Sequence, residues 1–174
     1  MMDAYLQWLS AEDRSQDDTF RSYIRDVAQT RFVTRKVFRI VDEQARAAGV
    51  EPLQFQVLLQ VLGAQTDVVH VNDVADRLDV APAFASRLIK ELEAKELLAR
   101  SQSTVDRRMT RVAVTDAGCE LVRTVDAAVH VHLDYFQKQL ADRDRFAALT
   151  TFAFCVGLPA DSPVATALRG ALAN

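Results

Sequence analysis

Three patterns follow one another between Val71 and Thr115, and together they leave few folds open. Val71–Leu78 carries Val74, Ala75 and Leu78 at helical spacing. Pro82–Leu97 carries Phe84, Ala85, Leu88, Ile89 and Leu92 as an apolar stripe. Only Asp79, Val80 and Ala81 separate them, and two short helices joined by so tight a turn make a helix–turn–helix unit. Such turns favour glycine. Here Asp79 takes that place, and aspartate tolerates the left-handed backbone region better than most residues. Ala81 precedes a proline, so it is pushed out of the α region into an N-cap position, without a capping oxygen. A hairpin pattern comes next, with arms Leu98–Ser103 and Thr110–Thr115. In the second arm Val112 and Val114 alternate with Arg111 and Ala113. A helix–turn–helix followed at once by a two-stranded ribbon predicts a winged helix.

The flanks read as long helices. Thr19–Ala48 repeats apolar residues from Phe20 and Ile24 to Ile40, Val41 and Ala45, and Gly49 closes it where a positive φ is cheap. Pro52 opens a second helix, whose Phe55, Val57, Leu58, Leu59, Val61 and Leu62 make it apolar nearly all round and predict burial. Val68–Val69 is a candidate short strand. After the ribbon, Thr115 caps a helix running to about Ala141, with Asp116 in its first turn. A last helix covers about Arg143–Val156, with Phe146, Leu149, Ala153 and Val156 on one face, and the tail 164–172 can form a short one. These flanking helices are apolar beyond one stripe, and a helix of that kind must bury the excess against something. The simplest partner is the same helix set of a second subunit. The predicted fold class is mostly α with a small β-wing, a winged helix–turn–helix domain plus an α-helical dimerisation layer. The predicted boundaries are an N-terminal extension over 1–18, a helical dimerisation region over 19–50 and 116–174, and a DNA-binding domain over 51–115.

Composition sets an objection to that last assignment. The chain has 174 residues, 49% hydrophobic and 26% charged, which suits a globular domain with a real core. Its formal net charge is −3, against what a simple nucleic-acid binder shows. Local charge answers this. From Pro82 to Arg111 seven basic residues (Arg87, Lys90, Lys95, Arg100, Arg107, Arg108, Arg111) face four acidic ones (Glu91, Glu93, Glu96, Asp106), and counterion release needs only local cations. Two distant cysteines, no CxxC, no long apolar run and no signal-like start predict a reducing cytoplasm and no membrane partner.

A recognition helix meets base edges with its N-terminal residues. Started at Pro82, the face opposite the apolar stripe presents Pro82, Ala83, Ser86, Arg87 and Lys90. Pro and Ala suit a thymine methyl, Ser donates or accepts, Arg87 can grip a guanine bidentately, and Lys90 is placed for a phosphate. At the ribbon tip Arg107 and Arg108 suit the narrow, electronegative minor groove, with Asp106 orienting one of them. Glu91, Glu93 and Glu96 read as solvent-facing residues without a site.

At these residues the chain resembles the MarR family of bacterial regulators, over roughly Thr19–Val156. The resemblance rests on Asp106-Arg107-Arg108 followed by Val114-Thr115-Asp116-Ala117-Gly118, and on Val74-Ala75-Asp76-Arg77-Leu78-Asp79-Val80. Val114 stands for the family's usual Leu, Asp79 for its Gly, and Ala81 where Ser or Thr is common. The resemblance implies a homodimer on a pseudo-palindromic double-stranded DNA operator, with half-sites about one helical turn apart. It also implies a repressor released by a small ligand, often a phenolic or aromatic acid, or in other members a cysteine-based oxidant sensor.

For an effector, Arg31 and Arg35, one turn apart on the first helix, can pair with a carboxylate. For redox sensing, Cys119 lies in the first turn of a helix, whereas Cys155 sits in an apolar run and reads as packing. His130 has usable spacing to Asp134 but lacks further ligands, so no metal site is predicted. No phosphate loop, dinucleotide motif or nucleophile elbow occurs, so neither enzyme activity nor a cofactor is expected. A winged helix used only for protein–protein binding remains the rival.

Overall fold

The computed structural model describes residues 17–64, 69–102 and 110–158. The elements are α1 (Asp17–Ala47), α2 (Pro52–Leu62), β1 (Val69–His70), α3 (Val71–Leu78), α4 (Pro82–Ala94), β2 (Leu98–Gln102), β3 (Thr110–Val114), α5 (Asp116–Lys138) and α6 (Asp142–Cys155). They fall into two compact units, one from Arg39 to Leu133 and one made of the described residues on either side of it. No described helix is long and apolar enough to cross a membrane.

The first unit is the winged helix. Its three strands are antiparallel in the order β1-β3-β2, with Leu98 opposite Val114 and Val69 opposite Val112. The core is drawn from every helix: Ala45 of α1, Val57 and Leu58 of α2, Val74 of α3, Ile89 and Leu92 of α4 and Val125 of α5, joined by Leu98 and Val112 of the sheet. Each large apolar side chain removed from water here contributes about 1.5–3 kcal/mol. The expectation that α2 is buried all round is corrected at its two ends, because Leu53 and Leu62 stay exposed.

Three helices of this unit end in the same way. After α1, Val50 N–H donates to Ala45 O at 3.1 Å and Gly49 N–H to Arg46 O at 3.0 Å, with Gly49 at φ 86°. After α3 the donors are Val80 and Asp79, with Asp79 at φ 53°. After α4 they are Leu97 and Glu96, with Glu96 at φ 59°. This pairing satisfies the last carbonyls of a helix and needs one residue in the left-handed region. The helix expected to reach Leu97 therefore ends at Ala94, because Glu96 turns the chain and sends buried Leu97 back over buried Leu92.

The start of α5 is built as its residue types require. Thr115 Oγ1 accepts the N–H of Gly118 at 3.0 Å and donates to Glu96 O at 2.7 Å. Gly118 has no alternative, since a Cβ there would run into the Leu97 carbonyl and lie 2.7 Å from Val114 Cγ1. Val114-Thr115-Asp116-Ala117-Gly118 is thus a packing device that seats α5 on the end of α4.

In the second unit Thr30 of α1 and Ala147 of α6 are buried, and Thr30 Oγ1 donates to Ala147 O at 3.0 Å. On α6 the residue buried most deeply is Ala147, 1% exposed; of the expected apolar face Phe146 and Ala153 are half-buried, while Leu149 and Val156 lie exposed. Cys155 is exposed too, not packed as its apolar neighbours suggest. Helix α5 stops at Lys138 rather than near Ala141, and Asp142 starts α6 one residue early. The extension before Asp17, the ribbon tip and the tail 164–172 lie outside the described residues.

Candidate nucleic-acid interface

The turn between α3 and α4 sets the geometry of the candidate reading helix. Asp79 ends α3 in the left-handed region, and Ala81 lies extended (φ −62°, ψ 139°) with no side-chain cap before Pro82. Ala85, Leu88, Ile89 and Leu92 are all buried, which orients the helix. On the other side Pro82, Ala83, Arg87 and Lys90 are exposed and Ser86 is half-buried. The five positions expected to face a ligand therefore all reach the surface, Ser86 least. Asp106, Arg107 and Arg108 lie outside the described residues.

Arg87 is not loose. Its guanidinium carbon lies 4.7 Å from the centroid of the Phe84 ring, one turn back. Its Nε lies 3.5 Å from Oε1 of Glu91, one turn on. Glu91 Oε2 in turn accepts from Gln54 Nε2 at 2.9 Å. Gln54 is 4% exposed, and its Oε1 accepts from the Glu51 N–H at 3.1 Å and from Lys95 Nζ at 3.0 Å. Lys95 Nζ also donates to Gly49 O at 2.9 Å. A buried amide is costly unless its bonds are made. Here the amide joins the start of α2, the turn before it and the exposed face of α4.

This network corrects two expectations. Glu91 is not an idle surface residue, and neither is Glu93. Arg100 grips Glu93 Oε2 through Nη2 and through Nε at 2.6 Å, tying β2 to α4. Lys95 and Arg100, counted among the local basic surplus, are therefore committed inside the module. Sequence reasoning missed Gln54 altogether; the only available signal was a glutamine three residues after Glu51, where it closes a capping box.

At the base of the wing, the His70 N–H donates to Asp73 Oδ2 at 2.8 Å, and His70 Nδ1 lies 3.2 Å from Thr110 O. Arg111 pairs across the sheet with His70 and Ser101, and its Nε is buried without a hydrogen-bond partner among the described residues. On α1, Arg31 and Arg35 are both exposed. His130 Nε2 lies 3.5 Å from Asp126 Oδ2 rather than beside Asp134, which holds Lys138 Nζ at 2.6 Å. No cluster of three metal-ligating side chains occurs among the described residues.

A family model described as MarR family matches residues 48–109, which run from the end of α1 to the ribbon tip. The chain is also 33% identical over 76 residues to the HTH-type transcriptional repressor MdtR of Bacillus subtilis (strain 168). Over these residues the winged module is similar to the MarR family. The matched stretch is 44% of this chain and 48% of MdtR, so the chain spans about half the length of that relative. Solved structures share the fold over more of the chain. The YusO protein from Bacillus subtilis is similar with a TM-score of 0.60 and 24% identity, over 83% of this chain and 100% of that one. The S. aureus MepR–DNA complex is similar with a TM-score of 0.60 and 20% identity, over 73% and 93%.

Proposed function

We propose that this chain is a MarR-family, sequence-specific DNA-binding transcriptional regulator, a repressor that acts as a homodimer on a pseudo-palindromic operator and is released by a small ligand. One observation carries the reading: α4 buries Ala85, Leu88, Ile89 and Leu92 and turns Pro82, Ala83, Arg87 and Lys90 outward from its first turns. A helix held in that way can lay its N-terminal half in a major groove. MepR, whose fold this chain shares, has been seen in complex with DNA, and MdtR is named a repressor.

In this reading Ala83 and Pro82 meet thymine methyls, Ser86 and Arg87 meet base edges and Lys90 a phosphate. The tip residues Asp106, Arg107 and Arg108 enter the adjacent minor groove. Residues 51–115 form the DNA-binding domain, 19–50 and 116–174 the dimerisation region, and 1–18 an extension. Dimerisation is supported by exposed Phe32, Phe38, Phe152 and Val156, which a lone chain leaves in water. Arg31 and Arg35 are the candidate grip for an aromatic or phenolic acid effector.

The wing gives a direct test. Replacing Arg107 and Arg108 by Ala should weaken duplex binding and flatten the slope of log affinity against log salt by about one to two per subunit. An unchanged slope, measured by fluorescence anisotropy over a salt series, removes the wing from the interface.

A further inference from the structure

On the exposed face of α4 the position one turn beyond Arg87 is an acid. Glu91 continues the stripe of Ala83 and Arg87, with 43% of its side chain exposed. Against a duplex a carboxylate there repels phosphates, and among the major-groove base edges it can accept only from the amino groups of cytosine and adenine. Its presence on a reading helix needs a compensating role.

The division of its two oxygens supplies one. Oε2 is held from the protein side by the Gln54 amide at 2.9 Å. That amide cannot turn over without loss, because Glu51 N–H and Lys95 Nζ both donate to its oxygen. Oε1 is thereby left toward Arg87 Nε at 3.5 Å. The guanidinium also lies over the Phe84 ring, 4.7 Å from Cζ to the centroid. The pair engages the inner nitrogen by charge rather than by a tight hydrogen bond, and the Arg87 side chain stays 64% exposed. Its outer edge remains available to a ligand.

We infer that Glu91, braced by Gln54, is a positioning residue that sets the posture of Arg87 and makes it the specificity-determining group for one guanine. This role presupposes the proposed DNA binding by α4. An arginine already held in a fixed plane gives up less freedom on forming the forked pair with guanine O6 and N7, whereas an unbraced one sweeps between base and nearby phosphates.

The test uses the full chain, the variants Glu91→Gln, Arg87→Ala and their combination, and a duplex enriched by the unaltered chain from a randomised pool. Binding is compared between that duplex and versions altered at single base pairs, at one salt concentration. The readout is the ratio of the two affinities. Removing the Glu91 charge strengthens binding to every duplex alike, and the ratio cancels that uniform gain.

The unaltered chain should lose about tenfold or more at one G·C pair, and Arg87→Ala should abolish that preference. Glu91→Gln should lower the same preference several-fold, leave the other positions as they were, and change nothing further once Arg87 is gone. A full preference kept by Glu91→Gln, or by Arg87→Ala, overturns the positioning role while leaving DNA binding intact. If the unaltered chain enriches no duplex, DNA binding itself fails and the positioning role with it.

Discussion

The two units of this chain spend their apolar residues in opposite ways. Between Arg39 and Leu133 the large side chains converge, and Leu58, Ile89, Leu92 and Leu98 are each at most 2% exposed. In the other unit Thr30, Phe136 and Ala147 are buried, while Phe32, Phe38, Tyr135, Phe152 and Val156 stand between 55% and 71% exposed. The winged module thus closes its core within one chain, with Leu53, Leu62 and Val131 the large apolar residues it leaves exposed among those described. Among the described residues the flanking helices leave apolar surface exposed, which is what an element built for a partner looks like. A helix does not reveal by its apolar content alone whether its partner is inside or outside the chain.

Breaking that contrast starts in the closed unit. Ile89→Ala removes three heavy atoms from a site with no access to solvent, and should cost about 2–5 kcal/mol in urea unfolding at any protein concentration. A loss below about 1 kcal/mol would mean that the module's core is looser than its burial indicates. Phe152→Ser probes the open unit. Its expected effect is on association, with the homodimer weakened about tenfold or more as read by sedimentation equilibrium. An effect on unfolding as large as that of Ile89→Ala, with association unchanged, would erase the distinction between the units. The smallest effect is expected at a turn. Glu96 sits at φ 59°, where a side chain costs roughly 1 kcal/mol, so Glu96→Gly should raise stability by about 0.5–1 kcal/mol. Thermal melting should show this as a rise of roughly 1–4 °C.

The closed unit was also the legible one. Helices α3 and α4 have one apolar face each, so periodicity alone located them, and the short Asp79-Val80-Ala81 link located the turn. Asp79 could be read as left-handed because it is a residue type that tolerates that conformation. Glu96 could not, since nothing about a glutamate announces a positive φ, and α4 was expected to run on to Leu97. The Gln54–Glu91–Arg87 contacts were hidden for a different reason. They join residues 37 positions apart in sequence, and a glutamate on an exposed face looks the same whether it meets water or a buried amide. On α6 the pattern gave an apolar face, Phe146, Leu149, Ala153 and Val156, but not its partner within the chain: small Ala147 is what lies against Thr30.

In the proposed function the winged module reads duplex DNA through α4 as half of a two-fold pair. Selection of the full chain against a pool of duplexes with a randomised centre tests it most directly. The expected result is an inverted repeat with its half-sites about one helical turn, roughly 10 base pairs, apart, lost when Arg87 and Lys90 are both replaced by Ala. Recovery of no common sequence, or of a single unrepeated site indifferent to those two residues, would contradict it.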